Sequence, residues 1–268
     1  MTEDAENTGD QARLMSGVDF GRTASDYATH RASLPERFYD LLEAHGVRIA
    51  GSVAVDLGTG TGAVARSLAR RGAAVTGVDP SEAMAEQARA LDAEAGVSVR
   101  YVRATAEETG LPSGEAGLVI AGQAWWWFDR PRAIAEARRL LAGGGHLVIC
   151  SLDWLPLPGS IPEATEGLIL AANPAWTLAG GMGRPPNWLD ELRGAGFGDC
   201  AVFEFDVTVP YSHEAWRGRI RASAGVAATL GEDEVARFDE AHARMLAERF
   251  PEEPMAVPHH VYAALGRG

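Results

Sequence analysis

Apolar and polar positions along this chain change period repeatedly. Val53-Ala54-Val55-Asp56-Leu57 is a short apolar, β-branched run that ends in Gly58-Thr59-Gly60-Thr61-Gly62. A run of that kind predicts a buried parallel strand closing in a tight turn. Val64 and Leu68 then recur at helical spacing until Gly72, which predicts a short helix with a glycine just past its end. Ala73 to Asp79 reads as a second strand. Ser81 is an N-cap for a helix with Met84, Ala88 and Leu91 on its apolar face. Val97 to Val102 is a third strand and Leu118 to Ala121 a fourth. Ile134, Ala137 and Leu141 line a helix stopped by Gly143-Gly144-Gly145, and His146 to Cys150 is a fifth strand. Strands alternating with helices predict a parallel sheet with right-handed crossovers, and ligands on such sheets bind at the carboxyl ends of the strands.

The flanks follow other patterns. Residues 1–16 are polar and acidic and are expected to be disordered. Residues 17–49 read as a helical lead-in, with Phe38, Leu41 and Leu42 at helical spacing after Pro35. Past residue 152 the alternation weakens. Residues 153–198 carry Pro156, Pro158, Pro162, Pro174, Pro185 and Pro186 with Trp154, Trp176 and Trp188, which suggests an insertion or lid before a sixth strand. Val202 to Val209 alternates apolar and polar side chains, as a half-exposed strand does. Two helices follow, near 212–222 and 232–249, and Pro258 to Leu265 reads as a last strand. Residues 17–268 thus read as one domain, with a core over about 51–152 and a helical insertion over about 211–256.

The acids around the glycine cluster narrow the ligand. A strand, a Gly-rich turn and a helix N-terminus suit a nucleoside-bearing molecule, because glycines let it approach the backbone. Asp56 just before the glycines would repel a pyrophosphate and would favour an ammonium or a sulfonium. Asp79, at the end of the second strand, is acceptor-only and can take both ribose hydroxyls. This pattern suits S-adenosylmethionine better than a dinucleotide. Gly58-x-Gly60-x-x-Ala63 nevertheless also satisfies the dinucleotide fingerprint, so a nicotinamide-dependent oxidoreductase stays as the alternative.

The stretch from Val53 to Gly62, with Asp79, resembles the class I S-adenosylmethionine-dependent methyltransferases, in the branch of ubiquinone/menaquinone-type C-methyltransferases and related small-molecule enzymes. Two further segments carry the likeness: Thr105-Ala106-Glu107-Glu108-Thr109-Gly110-Leu111-Pro112 and Gly122-Gln123-Ala124-Trp125-Trp126-Trp127-Phe128-Asp129. By motif it covers roughly residues 20 to 152. The resemblance implies an α/β fold, a Rossmann-like doubly wound seven-stranded sheet, mostly parallel with an antiparallel last strand, and a helical insertion or lid over the acceptor site. It implies S-adenosyl-L-methionine as cofactor and S-adenosyl-L-homocysteine as product. The implied cofactor residues are Asp56, Gly58, Thr59, Gly60 and Gly62 in the loop and Asp79 and Pro80 at the ribose. Met84, Ala106 and Glu107 would face the adenine, and Gln123 the methionine end. In the Tyr-x-x-x-Arg spacing, Tyr27 would close over the cofactor and Arg31 would meet its carboxylate. Thr105 stands where the family often has Asp, which shifts the adenine contact toward backbone groups and Glu107.

Composition adds exclusions. The 268 residues, 46% hydrophobic and 23% charged, are those of an ordinary globular protein. A net charge of −13 argues against a nucleic-acid substrate, which needs a basic footprint. Arg138-Arg139 and Arg217 to Arg221 read as solvated helix faces. No apolar run reaches the length of a membrane span, no signal peptide is apparent, and two cysteines build neither a disulfide framework nor a metal cluster, so a cytoplasmic protein is expected. The acceptor is expected to be a small apolar or aromatic metabolite, with Trp125, Trp126, Trp154 and Trp176 as its walls. Three consecutive tryptophans read equally as core, and one or two of them are expected there. Methyl transfer needs a general base only where the nucleophile must lose a proton. His213 and His30 lead the candidates, with Asp153 behind them; His259 and His260 read as structural. A non-catalytic S-adenosylmethionine-binding protein is the third reading. Oligomeric state is not indicated.

Overall fold

The computed structural model describes residues 32–268 apart from 186 and 228. The expectations for residues 1–16, and those for Tyr27, His30 and Arg31, lie outside the described residues. The chain divides into two compact units. One comprises residues 32–155, 181–209 and 257–268; the other includes 156–180 and 210–256.

The first unit is built on the sheet. Its elements are α1 (Glu36–Ala44), β1 (Val53–Leu57), α2 (Ala63–Arg70), β2 (Ala74–Asp79), α3 (Glu82–Ala95), β3 (Arg100–Arg103), β4 (Ala116–Gly122), α4 (Arg130–Leu140), β5 (Leu141–Trp154), α6 (Trp188–Gly194), and most of β6 (Gly198–Tyr211) and β7 (Met255–Arg267). Among the described residues seven strands form one sheet in the order β3-β2-β1-β4-β5-β7-β6. β1 pairs in parallel with β2 and β4, β2 with β3, and β4 with β5, whereas β7 runs antiparallel to β5. This is the doubly wound, mostly parallel sheet expected.

Two apolar layers cover the sheet. On one face Phe38, Tyr39 and Leu42 of α1 and Val64, Ala65 and Leu68 of α2 pack against Ala54, Ile120, Val148 and Val261. On the other, Ala133, Ile134 and Ala137 of α4 and Trp188 and Leu192 of α6 pack against Val55, Val119, Ile149 and Ala264. Each fully buried side chain of this size contributes on the order of 1.5–3 kcal/mol. Burial on both faces explains why the central strands read as continuous apolar runs rather than alternating ones.

Two boundaries differ from expectation. β5 starts at Leu141 and passes through Gly143-Gly144-Gly145 instead of starting after it. The glycines are a local irregularity inside the strand: Ala116 pairs with Leu141, Leu118 pairs with His146, and Gly144 adopts φ 81°. β3 is shorter than expected, because Val97 follows directly on the α3 C-cap at Gly96, φ 65°.

The second unit is helical: α5 (Ile161–Ala172), α7 (His213–Arg221) and α8 (Glu232–Arg249). Its interior holds Ile169, Trp216, Ile220, Phe238 and Leu246. Arg217 and Arg221 are not solvated as expected. Arg217 Nε donates to Asp239 at 3.0 Å and Arg221 Nη1 donates to the same carboxylate at 2.9 Å, tying α7 to α8. No helix among the described residues is long and apolar enough to cross a membrane.

Candidate functional site

The strand order reverses between β1 and β4, which leave the sheet side by side. Their carboxyl-end loops are the place where a doubly wound sheet holds a ligand. Gly58, Gly60 and Gly62 all adopt positive φ, 66°, 52° and 76°. A Cβ at Gly58 would lie 2.5 Å from Ala124 Cβ and 2.9 Å from the Phe128 ring, so the β1 and β4 loops touch there. Gln123, in the β4 loop, holds φ 59°, a left-handed conformation rare outside glycine, and its N–H donates to the Cys150 carbonyl at 2.7 Å. Strained residues of this sort concentrate at binding sites.

The two acids are organised by this loop. Asp56 is buried; its Oδ2 accepts from Thr59 Oγ1 at 2.7 Å and from the Ala65 N–H at 3.2 Å, at the start of α2. Burial outweighs those bonds and pushes its carboxyl up to about 7. Asp79 accepts from the Gly60 N–H at 2.9 Å through Oδ2 and from the Ser81 N–H at 2.9 Å through Oδ1. Burial raises this carboxyl too. A carboxylate offers about four acceptor sites, so two backbone bonds leave Asp79 room for a ligand hydroxyl pair. Pro80, beside it, gives its carbonyl to Arg103 Nε at 3.3 Å. The expected loop residues Asp56, Gly58, Thr59, Gly60, Gly62, Asp79 and Pro80 therefore come together at the ends of β1 and β2.

The neighbouring segments are pinned as well. After β3, Ala106 is buried, and Glu107 Oε1 accepts from the Asp129 N–H at 2.8 Å. Met84 is buried in the first turn of α3, whose Ser81 cap accepts from the Met84 N–H at 3.4 Å. The tryptophans separate. Trp125, expected at an acceptor wall, is fully buried and donates through Nε1 to Glu191 at 2.9 Å. It is core, because the 3-10 turn Trp125–Trp127 points its first ring into the layer under α6. Trp126 is half-buried with its ring 4.7 Å from Trp188, and Trp127 is exposed.

The expected bases fare differently. Asp153 lies near the end of β5, opposite His260. His260 is buried; its Nδ1 lies 2.6 Å from Asp206 and its Nε2 3.4 Å from Glu204. His259 is buried with Nδ1 3.0 Å from the Val257 carbonyl. Within the helical unit, His213 is tied to the chain that follows α8. Its Nε2 lies 2.8 Å from the Phe250 carbonyl and its main-chain N–H donates to Glu253, so it tethers α7 to the chain after α8. With Nε2 turned to a carbonyl, the neutral ring keeps its lone pair on Nδ1, 4.0 Å from Glu253. Trp176, in the same unit, stands with Ile169 against Gly225, where a Cβ would lie 3.1 Å from the Trp176 ring and 2.9 Å from Ile169. Trp154 ends β5 opposite His259. Among the described residues no group of His, Cys, Asp and Glu could hold a metal ion.

The sequence reading missed Glu136 of α4 and took Arg139 for part of a solvated helix face, whereas Arg139 is engaged with Glu136 and the loop before β4. Glu136 Oε1 accepts from the Thr109 N–H at 2.9 Å, and Arg139 Nη1 donates to the Leu111 carbonyl at 2.8 Å. Their i,i+3 spacing on a helix was the available signal.

Residues 55–149 match the family model for a methyltransferase domain. An uncharacterized methyltransferase of Mycobacterium tuberculosis is 36% identical over 137 residues, 51% of this chain and 53% of that protein. A malonyl-[acyl-carrier protein] O-methyltransferase of Geobacter sulfurreducens is 41% identical over 133 residues, 47% of this chain and 48% of that protein. The chain spans about half the length of the curated relatives it matches. Over most of its length it superposes on the structure of a putative type II methyltransferase from Anaeromyxobacter dehalogenans, with TM-score 0.57, 26% identity, and coverage of 88% of this chain and 97% of that one.

Proposed function

We propose that the chain is a class I S-adenosylmethionine-dependent methyltransferase that transfers the sulfonium methyl of S-adenosylmethionine to a small organic acceptor. The observation that carries the proposal is the pair of acids set by the glycine loop, Asp56 held by Thr59 and Ala65 and Asp79 held by Gly60 and Ser81. In this reading Asp79 accepts from both ribose hydroxyls. Asp56, charged once the pH exceeds about 7, then favours the amino-acid end with its ammonium and sulfonium. Gly60 is the loop glycine proposed to admit the ligand to the backbone, since the space beside Gly58 is taken by Ala124 and Phe128 and that beside Gly62 by Tyr101 and Ala88; Gln123 sits beside the methionine portion. Met84, Ala106 and Glu107 belong to the adenine side. Bound there, the cofactor supplies an electrophilic methyl; the chain's share is to hold it in line with the nucleophile and keep the geometry fixed. Trp126, half-buried beside Trp188, is the aromatic surface proposed for the acceptor within the sheet unit. The likeness to the ubiquinone/menaquinone-type branch favours an aromatic or apolar acceptor.

Thermal stabilisation tests the class directly. S-adenosylhomocysteine is expected to raise the melting temperature, while NADH and NADPH leave it unchanged, since a ligand stabilises only the state it binds. A shift with a nicotinamide cofactor alone would make Gly58, Gly60 and Ala63 a dinucleotide fingerprint and end the methyltransferase reading.

Asp56 supplies a second expectation. Its carboxyl titrates near 7 in the folded protein and at the usual 3.8 when unfolded. The protonated form is therefore favoured by folding; that contribution is complete below about pH 4 and fades as pH rises through 7. Asp56→Asn keeps a neutral acceptor for Thr59 and Ala65. At pH 8 the variant should melt no lower than wild type and yet bind S-adenosylmethionine about tenfold or more weakly, the scale of a lost charge-assisted contact. Unaltered affinity measured by calorimetry would remove Asp56 from the site.

A further inference from the structure

One group of charges beside the loop between β3 and β4 has no role in the cofactor reading. Glu136, on α4, is buried, and four donors converge on it: the Thr109 N–H at 2.9 Å and Oγ1 at 2.5 Å, and Arg139 Nε and Nη2, each at 2.7 Å. Arg139 goes on to the same loop, with Nη1 donating to the Leu111 carbonyl at 2.8 Å and to Ser113 Oγ at 2.7 Å. Thr109 Oγ1 also accepts from the Leu111 N–H at 3.2 Å. The two side chains thus grip the loop between β3 and β4 at three successive points, Thr109, Leu111 and Ser113. The other end of the loop is fixed by Glu107 on the Asp129 N–H. Within the loop, Ala106 and Leu111 point into the core while Thr105 and Glu108 face outward.

The loop's place gives this grip a consequence. A nucleoside whose ribose is held by Asp79 must put its base to one side of that carboxylate. The β1 side is taken by the glycine loop, where the Gly60 N–H reaches Asp79. The β3 side is where Arg103 pairs with Asp79 and the loop begins. We infer that Glu136 and Arg139 are positioning residues for the base: they hold the 104–112 loop in the one shape that reads adenine, without touching the ligand themselves. The inference rests on the cofactor reading given above. Here both faces of Thr109, the Leu111 carbonyl and Ser113 are all engaged, so the path of the backbone is set residue by residue. The backbone groups engaged there are already paired, so discrimination falls to the remaining groups of the loop, where the wrong base edge leaves a donor or acceptor unpaired.

The test compares S-adenosylhomocysteine with S-inosylhomocysteine, which differs only in carrying hypoxanthine for adenine, on the full chain by calorimetry. Wild type is expected to prefer the adenine form by about tenfold or more. In Glu136→Gln the affinity for S-adenosylhomocysteine should fall about tenfold while that for the inosyl analogue changes little, so the preference collapses toward one. Thr109→Val removes only the hydroxyl bonds and should lower the preference in the same direction with the fold intact by circular dichroism. Faster hydrogen exchange at residues 104–112 in both variants, without ligand, reports the loosened loop. A preference unchanged in Glu136→Gln and Thr109→Val, with wild type binding normally, overturns the inference alone. Failure of wild type to bind either nucleoside overturns the cofactor reading and this inference with it.

Discussion

Asp79→Ala is expected to weaken S-adenosylhomocysteine binding by roughly ten- to 150-fold, the equivalent of about 1.5–3 kcal/mol for hydrogen bonds to a charged group. The structure gives the residue two tasks, and alanine removes both. Its carboxylate is the acceptor proposed for the ribose hydroxyls. It also holds the Gly60 N–H at 2.9 Å, which fixes the turn of the glycine loop at a φ of 52°. Asp79→Asn separates the tasks only partly. The amide keeps one oxygen, so one of the Gly60 and Ser81 N–H groups would face an NH2 donor. The asparagine variant should therefore fall closer to alanine than to wild type. Calorimetric titration checks the order. An Asp79→Ala protein that binds with wild-type affinity would remove the ribose assignment, and an asparagine variant equal to wild type would show that the backbone bonds are dispensable.

The parts of this molecule legible in the sequence were those set by local chemistry. β1, β2 and β4 are buried on both faces, so their apolar runs stand out. The Gly58-Gly60-Gly62 cluster marks its own turn because each glycine takes a positive φ. The strand carrying Gly143, Gly144 and Gly145 was truncated in the reading because glycine is normally punctuation. Here the pairing of Ala116 with Leu141 carries β5 through it, a contact no local pattern displays. Pairings made at a distance were equally hidden. Arg217 and Arg221 look like a solvated basic stripe until Asp239, from the following helix, is placed between them. Trp125 looked like a ligand wall because a triple tryptophan is unusual; its burial depends on Glu191, far along the chain, accepting its Nε1–H. His213 reads as a base at a helix start, and only the fold brings the Phe250 carbonyl to it. Sequence thus exposed what the cofactor side requires of the backbone, and left concealed what long-range pairing does to the side chains.

The helical unit carries the second large expectation, and its source is a histidine the sequence reading did not single out. His242, on α8, is fully buried. Its Nε2 lies 3.2 Å from Thr165 Oγ1, which also accepts from Trp216 Nε1 at 3.0 Å, while Nδ1 is buried with no partner. Asp239, one turn away, favours the charged ring, but Arg217 and Arg221 hold it, and those two cations and His213 oppose a positive ring. Burial is the largest cause, and together these push the imidazole from 6.5 down to about 4. A histidine depressed in the folded state stabilises fully above about pH 6.5, and its contribution is lost as pH falls toward 4. The gap corresponds to about 3 kcal/mol, a large share of a typical folding free energy. Acidification from pH 7 to 4.5 should therefore loosen α5, α7 and α8, seen as faster hydrogen exchange of Thr165 and Leu246. His242→Leu keeps the Thr165–Trp216 bond and buries no base. At pH 7 it should be within about 1 kcal/mol of wild type, and across the same pH range its exchange and melting temperature should change markedly less. If both proteins lose stability equally on acidification, the transition belongs to the carboxylates, and His242 is a passive core residue.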